Sequence, residues 1–265
     1  MVLEKAPSTI SILGCGWLGE PLANYLLANG FKIKASTTSE EKLHRLIGAG
    51  IETYQLSLES LNETMLPFFD AEILVVNIPS KNMEGFKKLI SFIKKSTLKK
   101  VLFVSSTSVY RDNNGIITED TMDSFSESPL LEIEQLFEQN YHFETTILRF
   151  GGLFGYSRKP GNFFPLGKGV LQPDAPVNMI HRDDCIAIMY QIIKQNVFGK
   201  TFNACADSHP TKREFYTKAT EIVGNPTPNF IVGETLSFKI ISNDKLKKEL
   251  NYKFKYADIL KALEM

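Results

Sequence analysis

The stretch Thr9-Ile10-Ser11-Ile12-Leu13-Gly14-Cys15-Gly16-Trp17-Leu18-Gly19 decides the fold. Its first five residues form a short apolar run that predicts a strand. Apolar residues at helical spacing from Leu18 to Leu27 predict a helix that ends near Gly30. The glycines between them match GxGxxG: the first permits a tight turn, the second lets the backbone approach a pyrophosphate, and the third lets helix and strand pack closely. With the free N–H groups of the helix start, this pattern predicts a dinucleotide-binding turn.

Strands and helices alternate over the first 150 residues. The predicted strands continue at 31–35, 51–56, 73–78, 101–105 and 145–150, and the predicted helices at 39–47, 84–95 and 130–139. The strand at 101–105 is almost wholly apolar, which indicates that both faces of the sheet are covered. The fold class is therefore α/β, a Rossmann-type doubly wound parallel sheet.

After Phe150 the chain becomes rich in glycine and proline, which is typical of an irregular region. Helices are predicted at 181–194 and 212–223, and a late strand at 201–204. We expect residues 1–154 and 179–204 to form the dinucleotide-binding domain. Residues 155–178 and 205–265 then form a small C-terminal substrate-binding lobe.

The composition excludes several classes of protein. The 265 residues include 30 basic and 30 acidic side chains, so the net charge is zero, and a nucleic-acid partner is not expected. No apolar run approaches the roughly 18 residues of a membrane span, and the N-terminus does not resemble a signal peptide. Three distant cysteines without a CxxC pair favour a cytoplasmic protein with free thiols. The four histidines lack metal-site spacing, so no metal is predicted.

We expect the cofactor to contact the glycine turn and the carboxyl ends of the strands, where open α/β sheets bind ligands. The candidates are Gly14, Cys15, Gly16, Trp17, Leu18, Gly19, Thr37, Thr38, Ser57, Asn77, Ile78, Pro79, Ser105 and Phe150. An acidic residue about 20 positions after the glycines would favour NAD. Here the second strand ends in hydroxyl residues with Lys42 just beyond, so the pattern favours NADP, with NAD still possible. Cys15 lies at a helix start, which can lower a thiol pKa, but a bound pyrophosphate would oppose this effect, and no alternative nucleophile is predicted.

Ser105-Ser106-Thr107-Ser108-Val109-Tyr110 closes the predicted strand at 101–105. Hydroxyl groups at this end of a parallel sheet face the ligand crevice, although a serine-rich turn is also an ordinary way for a chain to leave a strand.

Together with the glycine turn, this segment resembles the extended short-chain dehydrogenase/reductase superfamily, the epimerase/dehydratase group. Further segments continue the resemblance in order along the chain, namely 148–155, 178–184, 202–204 with 210–211, and 242–246. The resemblance implies NAD(P) binding, with Ser106 polarising a substrate oxygen. It also implies that Arg158 reaches a cofactor phosphate, although a surface role is an alternative.

The sequence departs from the family at the catalytic base. Family members carry YxxxK on the helix after the fifth strand, and the lysine lowers the tyrosine pKa so that the phenolate accepts a proton. Here Ser126 and Leu130 occupy those positions. The only YxxxK, Tyr190 to Lys194, is expected to be an ordinary helix-surface pair. The chain therefore resembles the atypical branch that lacks the motif.

A few other side chains are candidates for the missing base. Tyr110 is the second catalytic candidate, with packing as its alternative role. His181 has a suitable intrinsic pKa, but its motif resembles a turn in which Asp183 or Asp184 accepts hydrogen bonds from backbone donors. Glu132 and Glu134 are expected to lie on a solvated helix face.

Two functions remain open. The first is an NAD(P)-binding oxidoreductase, epimerase or dehydratase that acts on a small carbonyl, alcohol or sugar substrate with a degenerate active site. The second is a non-catalytic NAD(P)-binding redox sensor or regulatory module. We expect a monomer or a homodimer, the latter paired through the helices near 84–95 and 130–139, although burial within one chain explains their apolar faces almost as well.

Overall fold

A computed structural model describes residues 8–164 and 169–265 of the chain. These described residues form thirteen short strands: β1 Thr9–Leu13, β2 Lys32–Thr37, β3 Glu52–Gln55, β4 Ile73–Val76, β5 Lys100–Ser106, β6 Gly115–Ile117, β7 Glu144–Phe150, β8 Gly152–Phe154, β9 Val170–Leu171, β10 Met179–His181, β11 Thr201–Ala204, β12 Phe230–Ile231 and β13 Lys239–Ile241.

In the same part of the chain, eight α-helices lie between or after these strands: α1 Gly19–Ala28, α2 Glu40–Gly48, α3 Met83–Lys94, α4 Pro129–Glu138, α5 Arg182–Lys194, α6 Lys212–Val223, α7 Asp244–Leu250 and α8 Ile259–Ala262. Ser39 caps α2 by accepting a hydrogen bond from the Lys42 N–H, as the sequence predicted. One longer 3₁₀ segment, Glu63–Phe69, was not predicted; Pro67 inside it weakens any regular helical pattern.

Seven strands form a parallel central sheet in the order β11-β7-β5-β4-β1-β2-β3. β1 lies between β2 and β4, with Thr9 opposite Lys32 and Ile10 opposite Ile73. The order β3-β2-β1-β4-β5 is that of a Rossmann sheet. In such a sheet the strand order reverses beside β1, and a crevice is left at that point. The predicted fold class is confirmed.

The chain divides into two compact units. The first runs to Ser105 and includes Ser128–Ile147 and Met189–Lys200. In its core, the rings of Phe86 on α3 and Phe137 on α4 lie 6.0 Å apart between centroids, and Phe103 of β5 contacts both. Helices α3 and α4 therefore bury their apolar faces within the chain, which is one of the two explanations that the sequence left open.

The second unit comprises Ser106–Glu127, Leu148–Ile188 and the chain from Thr201 onward. Its separate core includes Phe154 and Phe215, whose rings meet edge to face. Each unit is a group of residues that mainly contact one another. The proposed division into a cofactor domain and a substrate lobe, which concerns binding, stays a prediction.

Within the described residues, no helix combines the length and the apolar character that a bilayer crossing requires.

Candidate functional site

The turn between β1 and α1 has the geometry that its three glycines predict. Gly14 has φ +102°, and a Cβ there would lie 2.3 Å from the Asn77 carbonyl oxygen. A Cβ on Gly19 would lie 2.2 Å from the Gly14 carbonyl oxygen, so this glycine packs the helix start on the turn. At Gly16, by contrast, a Cβ would meet nothing within 4 Å. Only the middle glycine faces open space, which is where a phosphate group approaches the bare backbone.

Hydrogen bonds to neighbouring strands hold the turn. The Gly14 N–H donates to the Ser36 hydroxyl at 3.0 Å, and the Cys15 N–H donates to the Ser36 carbonyl at 2.8 Å. From the other side, the Asn77 side-chain amide donates to the Gly14 carbonyl at 3.0 Å. The turn is therefore fixed by the ends of β2 and β4, so a ligand would meet it already in its binding conformation.

The turn opens on a cleft of about 310 Å³ within the first unit. Nine of the predicted cofactor residues line it, namely Gly14, Cys15, Gly16, Thr37, Thr38, Ser57, Asn77, Ile78 and Pro79. The sequence did not single out Leu13, Ser36, Ser39, Leu56, Leu58, Glu59 and Ser80, which line it as well. Each of these residues lies at or just after a strand end, so strand-end position was the available signal. Six hydroxyl residues and the glycine backbone line the cleft together with apolar side chains, a mixture that suits a phosphorylated ligand with an apolar base.

Three residues of the turn that were predicted to contact the cofactor do not line the cleft. Leu18 is buried and Trp17 half-buried, and neither they nor Gly19 line the cleft. The helix start does not lower the pKa of the Cys15 thiol. The side chain is 2% exposed, and its burial raises the thiol pKa to about 12, because desolvation outweighs the helix start.

Two charged side chains, Lys42 and Glu59, line the cleft. Lys42, in the first turn of α2, supplies a cation close to Thr37 and Thr38. Glu59 supplies a carboxylate, which accepts a hydrogen bond from the Asn82 side chain and has a lowered pKa as a result of its hydrogen bonds. The cation favours a 2′-phosphate and the carboxylate favours a free 2′-hydroxyl, so both nicotinamide cofactors have a polar partner here.

Ser105 and Glu134 form a buried pair between β5 and α4. The Ser105 hydroxyl donates to the Glu134 carboxylate, and Glu134 is fully buried. The expectation that Glu134 lies on a solvated face is therefore wrong, because its side chain points inward beside Ile133 while Glu132 is exposed. A buried carboxylate requires such a donor, and Ser105 supplies it from the strand end.

Ser106 is the last residue of β5 and is half-buried. Its hydroxyl accepts the Ser108 N–H at 3.1 Å. Ser126, at the position of the family tyrosine, lies before α4, because Ser128 caps the helix and Pro129 occupies its first position. The Ser126 hydroxyl donates to the Val109 carbonyl at 2.9 Å. Leu130, at the position of the family lysine, packs against the core of the first unit.

Tyr110 belongs to a buried polar network in the second unit. Its hydroxyl accepts a hydrogen bond from Arg149 at 2.6 Å and donates one to Asn203 at 3.0 Å. The ring stacks on Phe125, and burial raises the phenol pKa above its ordinary value. These surroundings favour the packing role that the sequence left open, and a catalytic role for Tyr110 stays a prediction.

His181 and its motif form a second polar cluster. Asp184 is fully buried and accepts the N–H groups of Lys255 and Tyr256 at 2.8 and 3.0 Å. An aspartate of the motif therefore accepts hydrogen bonds from backbone donors, as predicted, but these donors belong to a distant segment of the chain and not to the turn itself. Burial lowers the His181 pKa.

Arg158, the predicted phosphate contact, donates a hydrogen bond from Nε to the Leu153 carbonyl at 2.9 Å. Its contact with a cofactor phosphate stays a prediction.

The sequence also drew attention to Phe150 and to the YxxxK motif of α5. Phe150 ends β7 and is buried. In the YxxxK of α5, Lys194 lies over the Tyr190 ring, which also meets Tyr25 edge to face. These contacts agree with the surface-pair interpretation of that motif. Among the described residues, no group of three His, Cys, Asp or Glu is arranged to hold a metal ion.

Comparisons with known proteins agree with this geometry. Residues 9–123 match the family described as the NAD binding domain of 6-phosphogluconate dehydrogenase. Protein YeeZ of Escherichia coli strain K12 is 28% identical over 267 residues, and the match covers 95% of this chain and 97% of YeeZ.

Two solved structures share the fold along the whole chain. A candidate NAD-dependent epimerase/dehydratase from Methylobacillus flagellatus is 25% identical, with TM-score 0.72 and coverage of 96% of this chain and 95% of its own. A short-chain dehydrogenase/reductase superfamily protein from Agrobacterium tumefaciens with bound NAD is 18% identical, with TM-score 0.74 and coverage of 97% and 94%. Residues 9–123 of this Rossmann fold therefore match an NAD binding domain, and the predicted resemblance of the chain to the epimerase/dehydratase-like, atypical short-chain dehydrogenases/reductases is confirmed.

Proposed function

We propose that this chain binds NADP in preference to NAD and is an oxidoreductase, epimerase or dehydratase acting on a small carbonyl, alcohol or sugar substrate. The observation that carries the proposal is the glycine turn, in which Gly16 alone faces open space beside a cleft lined by hydroxyl groups. The three buried cysteines are free thiols, which favours the cytoplasm, because cysteines stay reduced in that compartment.

The residues of this chain have separate roles in the proposal. The backbone at Gly14 and Gly16 would hold the pyrophosphate, and Lys42 with Thr37 would contact the 2′-phosphate. When bound, the nicotinamide supplies hydride transfer. Ser106, at the carboxyl end of β5, would donate a hydrogen bond to a substrate oxygen. No tyrosine–lysine pair follows on α4, so proton transfer is the weakened step, and positioning of the substrate carries most of the catalysis.

Calorimetric titration tests the choice of cofactor. We expect NADP to bind more tightly than NAD, and Lys42→Ala to weaken NADP binding about tenfold while leaving NAD binding unchanged, since a charge-assisted hydrogen bond to the 2′-phosphate is lost. Lys88→Ala, an exposed lysine of α3 outside the cleft, is the matched control. Tighter binding of NAD, with no effect of Lys42→Ala, would reverse the assignment in favour of the Glu59 carboxylate.

Turnover is tested with a panel of small aldehydes, ketones, alcohols and sugars, followed by absorbance of the reduced nicotinamide. We expect at least one substrate to be converted, and Ser106→Ala to lower kcat about tenfold or more with little change in cofactor affinity. Ser108→Ala, at the neighbouring exposed serine, is the control. No turnover across the panel would remove the enzymatic half of the proposal while leaving cofactor binding intact.

The second candidate is a non-catalytic NAD(P)-binding sensor. Two observations favour it: Ser126 replaces the catalytic tyrosine, and the Tyr110 hydroxyl already has two hydrogen-bond partners. A sensor should capture a protein partner with one redox form of the cofactor and not with the other. Equal capture with NADP and NADPH would argue against this function.

A further inference from the structure

A second pocket lies entirely among residues of the second unit. Its volume is about 260 Å³, close to the lower end for small-molecule sites. The walls are mostly apolar and include Phe154, Pro160, Ile222, Val223 and Leu263. None of these residues was assigned to the cofactor or to the proposed chemistry, so the pocket has no role in the function described above.

One polar side chain points into this apolar pocket from its wall. The His181 side chain is 6% exposed and is held between the rings of Phe154 and Tyr256, whose centroids lie 5.3 and 4.0 Å from that of the imidazole. Its Nδ1 accepts the Asp183 N–H at 3.2 Å, so the proton of the neutral ring is on Nε2. Burial lowers the pKa of this imidazole, which keeps the ring neutral near pH 7.

The Nε2–H group is available to a ligand. Gly155 also lines the pocket, and a Cβ on this glycine would lie 2.4 Å from Nε2. The imidazole therefore packs directly on the Gly155 backbone, and a side chain at this position would displace the ring. Across the described part of the chain, no residue accepts a hydrogen bond from Nε2, and this donor is not among the fully buried atoms, so a ligand in the pocket that His181 lines can reach it.

The charges around the pocket favour an anion. Lys159 lines it and forms no ion pair with any residue that the structure describes. Glu264 also lines it, but its carboxylate is bound to Lys218 at 2.5 Å. The hydroxyl of Tyr156 is likewise engaged, since it donates to Asp183 at 2.9 Å. Among the side chains that line the pocket, one neutral donor and one cation remain for a ligand beside the apolar wall.

We propose that this pocket binds a small organic acid with an apolar body, whose carboxylate accepts the His181 Nε2–H hydrogen bond and faces Lys159. The body would contact Phe154, Ile222 and Leu263. The proposal does not depend on the identity of the nicotinamide cofactor, and it adds a second ligand site to the chain.

The test is titration of the full chain with 3-phenylpropionate, followed by amide chemical shifts and calorimetry, with 3-phenylpropanol as the uncharged analogue. We expect saturable binding of the acid, with shifts centred on the pocket residues, and binding of the alcohol about tenfold weaker. His181→Asn keeps an acceptor for the Asp183 N–H and removes the Nε2 donor, so it should weaken binding of the acid about tenfold. His181→Gln, which restores a donor near the Nε2 position, should recover most of it.

A steric variant covers the case in which His181 variants fail to fold. Ile222 is 44% exposed on α6, so Ile222→Trp should fold and fill the pocket, which abolishes binding. Ile116→Trp, at an exposed isoleucine that does not line the pocket, should bind like the wild type. The proposal is overturned if 3-phenylpropionate does not bind the wild type saturably, or if Ile222→Trp and Ile116→Trp bind it equally well.

Discussion

The three glycines of the β1–α1 turn have different physical roles although they belong to one motif. Gly14 and Gly19 are required by contacts with backbone carbonyls, whereas Gly16 borders open space. Their substitutions should therefore separate folding from binding, which a motif match alone does not do.

We predict that Gly16→Leu leaves the free energy of unfolding nearly unchanged and weakens NADP binding at least about tenfold, because the side chain occupies the phosphate position. Gly14→Ala should instead destabilise the protein by about 2–5 kcal/mol, since it combines a positive φ with a clash against the Asn77 carbonyl. Urea unfolding and calorimetry on both variants provide the measurement. A stable Gly14→Ala, or a Gly16→Leu that binds NADP normally, would contradict this division of roles.

His181 should make stability depend on pH in a window where carboxyl groups titrate little. Its folded-state pKa is lowered by burial, so the unfolded chain binds the proton more readily. Stability is therefore full above the unfolded pKa of about 6.5 and is lost as the pH falls through that value toward the folded pKa.

We predict that the free energy of unfolding falls between pH 7.5 and about 5.5, and that His181→Asn makes this fall less steep. His209 also has a pKa lowered by burial, so His209→Asn should remove a further part of the slope. His44, an exposed histidine of α2, offers a matched control, and His44→Asn should leave the slope as it is. An identical slope in all four proteins would show that burial of these rings has no effect on proton binding.

At the scale of elements, α4 is fixed to β5 by a polar contact as well as by its apolar face. Ile133 and Phe137 enter the core of the first unit, and Glu134 between them meets Ser105 at the strand end. The helix thus supports the segment that leads directly to Ser106.

We predict that Glu134→Ala costs about 2–4 kcal/mol, because it leaves the buried Ser105 hydroxyl without this acceptor and opens a cavity. Glu132→Ala, two residues away on the exposed face of the same helix, should change stability by no more than about 0.5 kcal/mol. Thermal and urea unfolding of the two variants decide the matter, and equal effects would mean that Glu134 is solvated as the sequence first indicated.

At the scale of the whole molecule, a cofactor that binds only the folded chain must stabilise it by mass action. At a concentration 100 times its Kd, NADP should add about 2.7 kcal/mol to the free energy of unfolding. For a chain of this length, that corresponds to a rise in Tm of about 5–11 °C.

We predict this rise for the wild type, a smaller one with NAD at the same concentration, and none for Gly16→Leu with either cofactor. Differential scanning fluorimetry is sufficient, and ATP at equal concentration controls for nonspecific binding of phosphate. A Tm that neither dinucleotide changes would exclude the cofactor cleft as a binding site.

The sequence by itself determined the strand, turn and helix of residues 9–28, the alternation that gives a parallel sheet, and the absence of YxxxK after β5. These features are local, because glycine spacing and apolar periodicity act within a few residues. Only the tertiary structure decided that Glu134 is buried, that the Tyr110 hydroxyl is shared between Arg149 and Asn203, and that His181 borders a second pocket. Each of these depends on which distant segments meet, and neither burial nor a hydrogen-bond partner far along the chain is encoded in the spacing of neighbouring residues.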